Sequence, residues 1–161
     1  MFEINKTITL KLIFLIGIIA LSSAFFIEYV LGHQPCNLCV LERIPYLLSL
    51  IIIILNYKFI NLEKYFILSL ILIFLAATIL SLYHLGIEQG FIEESLVCDL
   101  KNSSNLLTKE DILRQLQEKN VSCKDVTFKI LGISLTSYNI IISLLIVYFT
   151  TKTYLSYDNN K

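Results

Sequence analysis

The sequence contains little charge, little proline and little glycine. Only 16% of its 161 residues are Asp, Glu, Lys or Arg, and 13 basic residues balance 13 acidic ones. This balance excludes the basic stripe that is typical of proteins that bind nucleic acid. Two prolines and five glycines leave no room for a long flexible linker. We therefore expect a single domain with no nucleic-acid partner.

Hydrophobic residues make up 56% of the chain, which exceeds the usual fraction in soluble domains. They are concentrated in four apolar runs, at about residues 12–31, 39–57, 65–87 and 130–151. Each run is close to the ~20 residues that a helix needs to cross a bilayer. A helix also provides hydrogen bonds for its own backbone N–H and C=O groups, which the lipid cannot provide. The sequence predicts an all-α membrane protein, with residues 1–161 forming one bundle of four transmembrane helices.

The first apolar run has some features of a cleaved signal peptide. Lys6 and Lys11 precede it, as they would in such a peptide. Its core is at the long limit for a signal sequence, however, and no A-x-A pair follows it. We therefore expect this run to be retained as a membrane helix.

A long outer loop, at about residues 88–129, is predicted to contain a short amphipathic helix. Thr108 occupies a cap position, and Asp111 occupies the matching capping-box position. Ile112 and Leu113 belong to one apolar edge of the segment that ends at Lys119. This helix either lies on the membrane surface or packs against the bundle.

The four cysteines indicate the orientation of the chain. With four spans, both termini lie on one side of the membrane, and the short connector with Lys58 and Lys64 favours the cytoplasm for that side. The cysteines all fall on the opposite side, in the first outer turn and the long outer loop: Cys36, Cys39, Cys98 and Cys123. Disulfides persist in oxidising compartments such as the periplasm. We expect cytoplasmic termini and periplasmic cysteines.

Cys36 and Cys39 have the two-residue spacing of reversible dithiol couples. Pro35 is expected at the first helical position, where its missing N–H costs nothing. The positive end of the helix would then favour thiolates. Arg43 follows Cys39 by four residues, so it should lie on the same face and could contact a thiolate or a quinone carbonyl. Pro45 should bend or delay this helix.

The same residues could also serve in a metal site, in haem attachment or in structural disulfides. A zinc site would have to be assembled across two loops, because Cys98 and Cys123 are far apart and His33 is the only nearby imidazole. Haem attachment requires a histidine directly after the second cysteine of the pair, and Val40 occupies that position. We therefore expect no metal. Two alternatives remain: the cysteines could form two purely structural disulfides, and Arg43 could do no more than contact lipid headgroups.

The run from Gln34 to Arg43, QPCNLCVLER, resembles the signature of the disulfide-bond formation protein B (DsbB) family. The likeness continues through YHLGIEQ at residues 83–89, the two loop cysteines, and LGIS at residues 131–134. The resemblance implies a four-helix oxidase of the bacterial inner membrane that binds ubiquinone or menaquinone. It also implies a periplasmic partner, a thioredoxin-fold thiol oxidase like DsbA.

The resemblance implies a role for each cysteine. Cys98 is the position attacked by the reduced partner, and Cys123 is the resolving thiol that exchanges with Cys36. The exchange frees the Cys39 thiolate to contact the quinone ring, with Arg43 as the quinone-binding cation.

The same resemblance places two further residues, His84 and Glu42, near the quinone. His84 matches a family histidine close to the quinone, and Glu42 is expected to orient Arg43. Glu28 stands where a neutral polar residue is expected. It could reach the headgroups, pair with Arg43 or be protonated.

The expected function is that of a protein-disulfide:quinone oxidoreductase, which reoxidises its partner and supports disulfide formation in exported proteins. One rival is a quinone-linked reductase of the vitamin K epoxide reductase type, but there the order of the cysteine pairs is reversed. The other rival is a non-enzymatic membrane scaffold with two structural disulfides.

Overall fold

The computed structural model describes residues 6–59, 62–93, 123–124, 129–130 and 132–159. Cys98 and the helix predicted between residues 108 and 119 lie outside the described residues.

Four long helices form the fold, as the apolar runs predict. They are α1 (Lys6–Tyr29), α3 (Ile44–Lys58), α4 (Glu63–Glu88) and α5 (Leu135–Asn159), and a short helix α2 (Asn37–Leu41) precedes α3. A small antiparallel hairpin, β1 (Lys129–Ile130) and β2 (Ile133–Ser134), precedes α5 and pairs Lys129 with Ser134. The predicted all-α class with four apolar helices is confirmed.

The four helical segments are long and apolar enough to cross a membrane. They are Lys6–Tyr29, Asn37–Lys58, Glu63–Glu88 and Leu135–Ser156, and only 22% to 39% of the most apolar window in each is buried within the protein. Large apolar side chains such as Leu72 and Ile79 remain exposed on α4. Such a surface is typical of helices that are solvated by lipid.

The helices pack around a core of interdigitated apolar side chains. The most extensive contacts join α4 to α5, and α3 packs against both α1 and α4. Phe74 is fully buried and contacts the Tyr46 ring edge-to-face, with 5.6 Å between the ring centroids. A Cβ atom on Gly17 would lie 3.1 Å from Leu50 Cδ2, so glycine permits the close approach of α1 to α3.

The second apolar segment is divided into α2 and α3. Pro45 lies in the first turn of α3, where its missing N–H and its ring prevent continuation of the preceding helix. The expectation that Pro35 occupies the first helical position is wrong, because α2 begins at Asn37 and Cys36 is its N-cap. The Cys36 sulfur takes the capping role by accepting the Cys39 N–H at 3.2 Å.

The last helix begins at Leu135, later than the apolar run alone indicates. Gly132 has a φ of 81°, which favours glycine and turns the chain between β1 and β2. The Ser134 hydroxyl then accepts the Ser137 N–H at 3.4 Å, as an N-cap side chain does. The strands β1 and β2 therefore form a hairpin, and the helix starts only after it.

Candidate active site at one end of the bundle

The candidate site lies where α1 and α4 end and where α2 and α5 begin. A cavity of about 470 Å³ opens between these helix ends. Apolar side chains from α1 and α5 form much of its wall, including Ile16, Ala20 and Ile142. Its polar lining includes Glu28, Cys36, Cys39, Glu42, Arg43, His84, Glu88 and Asn139. The connections between helices thus bring distant polar residues to one end of the bundle.

Cys36 and Cys39 are free thiols at the start of α2. Cys36 is buried and Cys39 is half-buried. A hydrogen bond from the Cys39 side chain, assisted by His84 and the Cys39 N–H, outweighs burial and lowers the pKa of the Cys36 thiol to about 5. Cys36 is therefore a thiolate at neutral pH when the pair is reduced.

His84 connects the dithiol to a carboxylate. Its ring is almost fully buried, with Nε2 3.5 Å from Cys36 Sγ and Nδ1 2.9 Å from Glu42 Oε1. The Thr136 hydroxyl lies 3.2 Å from the same Nδ1 atom. A nucleophile, an imidazole and an orienting carboxylate in this order form an arrangement that activates cysteine in other enzymes.

Glu42 is held in place by α5. Its second oxygen, Oε2, accepts a hydrogen bond of 3.0 Å from Asn139 Nδ2. Asn139 Nδ2 also contacts Ser81 Oγ at 2.8 Å, and the Tyr46 hydroxyl donates to Asn139 Oδ1. From the sequence, Glu42 is expected to orient Arg43, whereas in the structure its carboxylate contacts His84.

Arg43 forms an ion pair with Glu28 across the α1–α3 contact. Arg43 Nη1 lies 2.5 Å from Glu28 Oε2, and both side chains are mostly buried. The guanidinium carbon also lies 5.3 Å from the centroid of the Phe25 ring. Of the three alternatives for Glu28, the structure shows the pair with Arg43, which compensates a buried charge.

Glu88 is a site residue that sequence reasoning missed. Its Oε1 atom accepts a hydrogen bond of 2.6 Å from the Thr136 hydroxyl and lies 3.8 Å from His84 Nε2. Its Oε2 atom is buried without a hydrogen-bond partner in the part of the chain that the structure describes. An acidic residue at the end of an apolar run was the available signal, because such residues usually face the bundle interior.

Cys123 lies against the dithiol. It is disulfide-bonded and buried, and it packs in one apolar cluster with Cys36, Leu38 and Ile87. Among the sequence-predicted site residues that the structure describes, all line the same cavity: Cys36, Cys39, Glu42, Arg43, His84 and Cys123.

Two kinds of ligand fit this chemistry. The apolar walls, with a cation and a dithiol at one end, suit a flat aromatic molecule that carries polar oxygens. Separately, the ligand atoms of Cys36, Cys39 and His84 all lie within 4.8 Å of one another, a set that can hold a soft metal ion.

Comparison with known proteins supports a relationship over most of the chain. The family model described as "Disulfide bond formation protein DsbB" matches residues 6–152, a range that includes every residue of the site. An uncharacterized protein of Rickettsia prowazekii (strain Madrid E) is 35% identical over 146 residues, covering 89% of this chain and 84% of that protein. No solved structure matches the chain significantly.

Proposed function

The chain belongs to the disulfide bond formation protein DsbB family, and from this we propose that it oxidises a periplasmic thioredoxin-fold dithiol and passes the electrons to a quinone. The family makes it a multi-pass membrane oxidoreductase of disulfide-bond formation. In the overall reaction, two thiols become one disulfide, and two electrons and two protons reduce the quinone to a quinol. The observation that carries the proposal is the reduced Cys36–Cys39 pair at the polar end of a largely apolar cavity.

The cavity residues fit ubiquinone or menaquinone. The apolar walls would hold the ring and its tail, and Arg43 supplies a permanent hydrogen-bond donor for a carbonyl oxygen. The ion pair with Glu28 fixes the guanidinium at the cavity wall. Bound there, a quinone supplies an acceptor for the two electrons of the dithiol.

His84 is the group that handles the thiol proton. Glu42 accepts from Nδ1, which leaves the Nε2 lone pair facing Cys36 Sγ at 3.5 Å. In this tautomer the ring can take the Cys36 proton and stabilise the resulting thiolate. Glu42 acts as a positioning residue, since it touches the imidazole rather than the reacting sulfur.

Electrons enter through the loop disulfide. We infer that Cys98 is the partner of Cys123 and the sulfur that the reduced partner protein attacks. The attack breaks the loop disulfide, forms a mixed disulfide and releases the Cys123 thiolate. Cys123 then attacks Cys36 of an oxidised Cys36–Cys39 pair, which releases the Cys39 thiolate towards the quinone. The second thiol of the partner protein then displaces Cys98, and the Cys98 thiolate attacks Cys123, which restores the loop disulfide and releases the Cys36 thiolate. The bonded Cys123 beside two free thiols corresponds to this last stage, at which both electrons rest on Cys36 and Cys39.

This scheme is tested by mixing the purified full-length protein with quinone and a reduced thioredoxin-fold dithiol, and by following quinone absorbance. We expect one quinone to be reduced per dithiol oxidised. Cys39→Ser should abolish quinone reduction, whereas Val40→Ala, a change at the exposed neighbouring residue, should leave it intact. If no such dithiol leads to quinone reduction, the oxidase function is wrong, and a non-enzymatic membrane scaffold with structural disulfides is the better explanation.

A second arm of the same assay concerns quinone binding. Arg43→Ala should raise the apparent Michaelis constant for quinone at least tenfold, about 1.4 kcal/mol, because a charged hydrogen-bond donor is lost. Lys11→Ala, which removes an exposed cation near the other end of α1, is the matched control. An unchanged constant for Arg43→Ala would contradict its role in binding.

A further inference from the structure

We propose that the reduced site binds a zinc ion through Cys36, Cys39 and His84, and that the bound ion blocks oxidation of the two thiols. Binding of zinc stands on the geometry alone. The inhibition of thiol oxidation by zinc rests on the proposed function, because only an oxidase has a turnover that zinc could inhibit.

The three ligand atoms are already close to the arrangement that zinc requires. They lie within 4.8 Å of one another, and Cys36 Sγ is 3.5 Å from His84 Nε2. With Zn–S near 2.3 Å and Zn–N near 2.05 Å, a tetrahedral site separates sulfur from nitrogen by roughly 3.6 Å. Zinc would therefore require only small side-chain movements.

His84 is oriented in the way that zinc-binding histidines usually are. Its Nδ1 atom contacts Glu42 Oε1 at 2.9 Å, so the Nε2 atom is the free ligand and faces the sulfur. Carboxylates that bind the second nitrogen of a ligating histidine fix its tautomer and raise its basicity. Asn139 in turn holds Glu42, so this support does not depend on a mobile side chain.

The charge of such a complex suits a buried site. Two thiolates and one neutral imidazole balance the charge of Zn²⁺, and a neutral complex avoids the cost of an unpaired charge in a low dielectric. Binding releases the protons that the thiols and the imidazole still hold, and it transfers no electrons, because zinc has no redox chemistry in proteins. The two sulfurs are then held as metal ligands and cannot form a disulfide.

Glu88 provides a second, independent indication of a cation at this position. Its Oε1 atom lies 3.8 Å from His84 Nε2, the same ring atom that faces Cys36. Its buried Oε2 atom has no hydrogen-bond partner among the described residues, although a buried carboxylate oxygen without a donor is costly. We expect a bound water to complete the coordination and to donate a hydrogen bond to Glu88, so that the ligand set itself stays neutral.

The sequence alone did not indicate this site. It led us to expect no metal, because His33 was the only histidine near the cysteines along the chain. The third ligand instead comes from α4, 48 residues after Cys36.

The direct test titrates Co²⁺ into the reduced full-length protein in detergent without oxygen. We expect one Co²⁺ per chain, with the thiolate charge-transfer and visible bands of a tetrahedral site, and displacement of the metal by Zn²⁺. A Cys98→Ser, Cys123→Ser double variant should give the same spectrum, since the loop thiols are not ligands. Protein with an oxidised Cys36–Cys39 pair should bind no metal.

Variants identify the ligands. His84→Gln and Cys36→Ser should each weaken Co²⁺ binding at least tenfold, whereas His33→Asn, at the other histidine of the chain, should not change it. Cys39→Ser serves the same purpose if the His84 variant does not fold. Unchanged binding in the ligand variants, or loss of binding in His33→Asn, would overturn the assignment.

The block of oxidation is tested separately. Zinc should stop quinone reduction by the wild-type protein, and a chelator should restore it. If zinc binds but turnover continues, the block is refuted and the binding site remains. If turnover is absent in zinc-free buffer while Co²⁺ binds as expected, the proposed oxidase function fails and the metal site stands.

Discussion

Among single residues, Cys36 has the most strongly altered chemistry at the site. Its sulfur accepts the Cys39 N–H at the N-terminus of α2 and faces His84 Nε2. Together with the Cys39 thiol, these donors stabilise the thiolate against the opposing effect of burial. Thiol–disulfide exchange proceeds through such thiolates, and in the proposed scheme Cys36 is the sulfur that exchanges with Cys123, whereas Cys39 is the thiolate that is released from the oxidised pair.

The low pKa of Cys36 predicts an unusual pH dependence of alkylation. The pKa of about 5 lies below that of an ordinary thiol, so the thiolate fraction stays high at neutral pH and falls only as pH drops through about 5. Iodoacetamide should therefore modify Cys36 of the reduced protein at a nearly constant rate from about pH 8 to about pH 6. Mass spectrometry of the labelled peptides distinguishes Cys36 from Cys39.

His84→Gln provides the comparison for that experiment. Loss of the imidazole should move the midpoint of the alkylation profile upwards, towards the ordinary thiol value of about 8.5. A wild-type rate that rises roughly tenfold per pH unit between about pH 6 and pH 8 would contradict the stabilised thiolate.

At the level of helices, Asn139 joins three elements by partly buried polar contacts. Its amide nitrogen on α5 contacts Glu42, which lies between α2 and α3, and Ser81 on α4. The Tyr46 hydroxyl on α3 donates to its oxygen. Polar contacts between membrane helices replace solvation that lipid cannot provide.

Asn139→Ala should therefore destabilise the bundle. The change leaves an oxygen of Glu42 and the hydroxyls of Ser81 and Tyr46 without this partner, at a cost of about 1 to 2 kcal/mol. Equilibrium unfolding in mixed detergent micelles measures the loss. Ile141→Ala, on the same helix with 56% of its surface exposed, should change stability far less. Equal effects of the two substitutions would argue against a structural role for the polar contacts.

The helices could be predicted from the sequence because length and apolar content determine which segments can cross a bilayer. The interruption at Pro45 was also expected, since proline cannot continue a helix. The hairpin before α5 was not expected, because residues 130–134 are as apolar as the helix that follows and Gly132 alone indicates the turn. An apolar run specifies burial or lipid contact, but it does not specify where a helix begins.

The pairings within the site could be predicted only in part. The sequence placed Cys36, Glu42 and His84 at one end of the bundle, as the structure shows. It did not indicate that Glu42 would face His84, because the rotation of each helix about its axis depends on packing with its neighbours. Asn139 and Glu88 were missed for the same reason, although a polar residue in an apolar run favours the protein interior.

At the scale of the whole molecule, Cys36, Cys39 and Cys123 lie at one end of the bundle, and the connector between α3 and α4 lies at the other. α3 runs from the site to Lys58, and α4 returns from Glu63 to Glu88 at the site. Lys6 pairs with Glu63 at the far end, with 2.6 Å between Nζ and Oε1. Basic residues at that end favour a cytoplasmic location under the positive-inside rule. We therefore propose cytoplasmic termini and a periplasmic site.

Labelling with a membrane-impermeant maleimide tests this orientation in spheroplasts. In a background without the native cysteines, Val30→Cys should be labelled from outside, because residue 30 is exposed at the end of α1 near the site. Lys58→Cys should be labelled only after the membrane is made permeable. The reverse pattern would show that the topology is inverted.

The Glu28–Arg43 pair has a consequence for how the chain enters the membrane. An ionised side chain that enters lipid alone is costly, and here the acid lies near the end of α1 while the base lies immediately before α3. If the two segments enter as one helical hairpin, each charge is neutralised as it leaves water. We therefore expect the first two spans to enter the lipid together, as one helical hairpin.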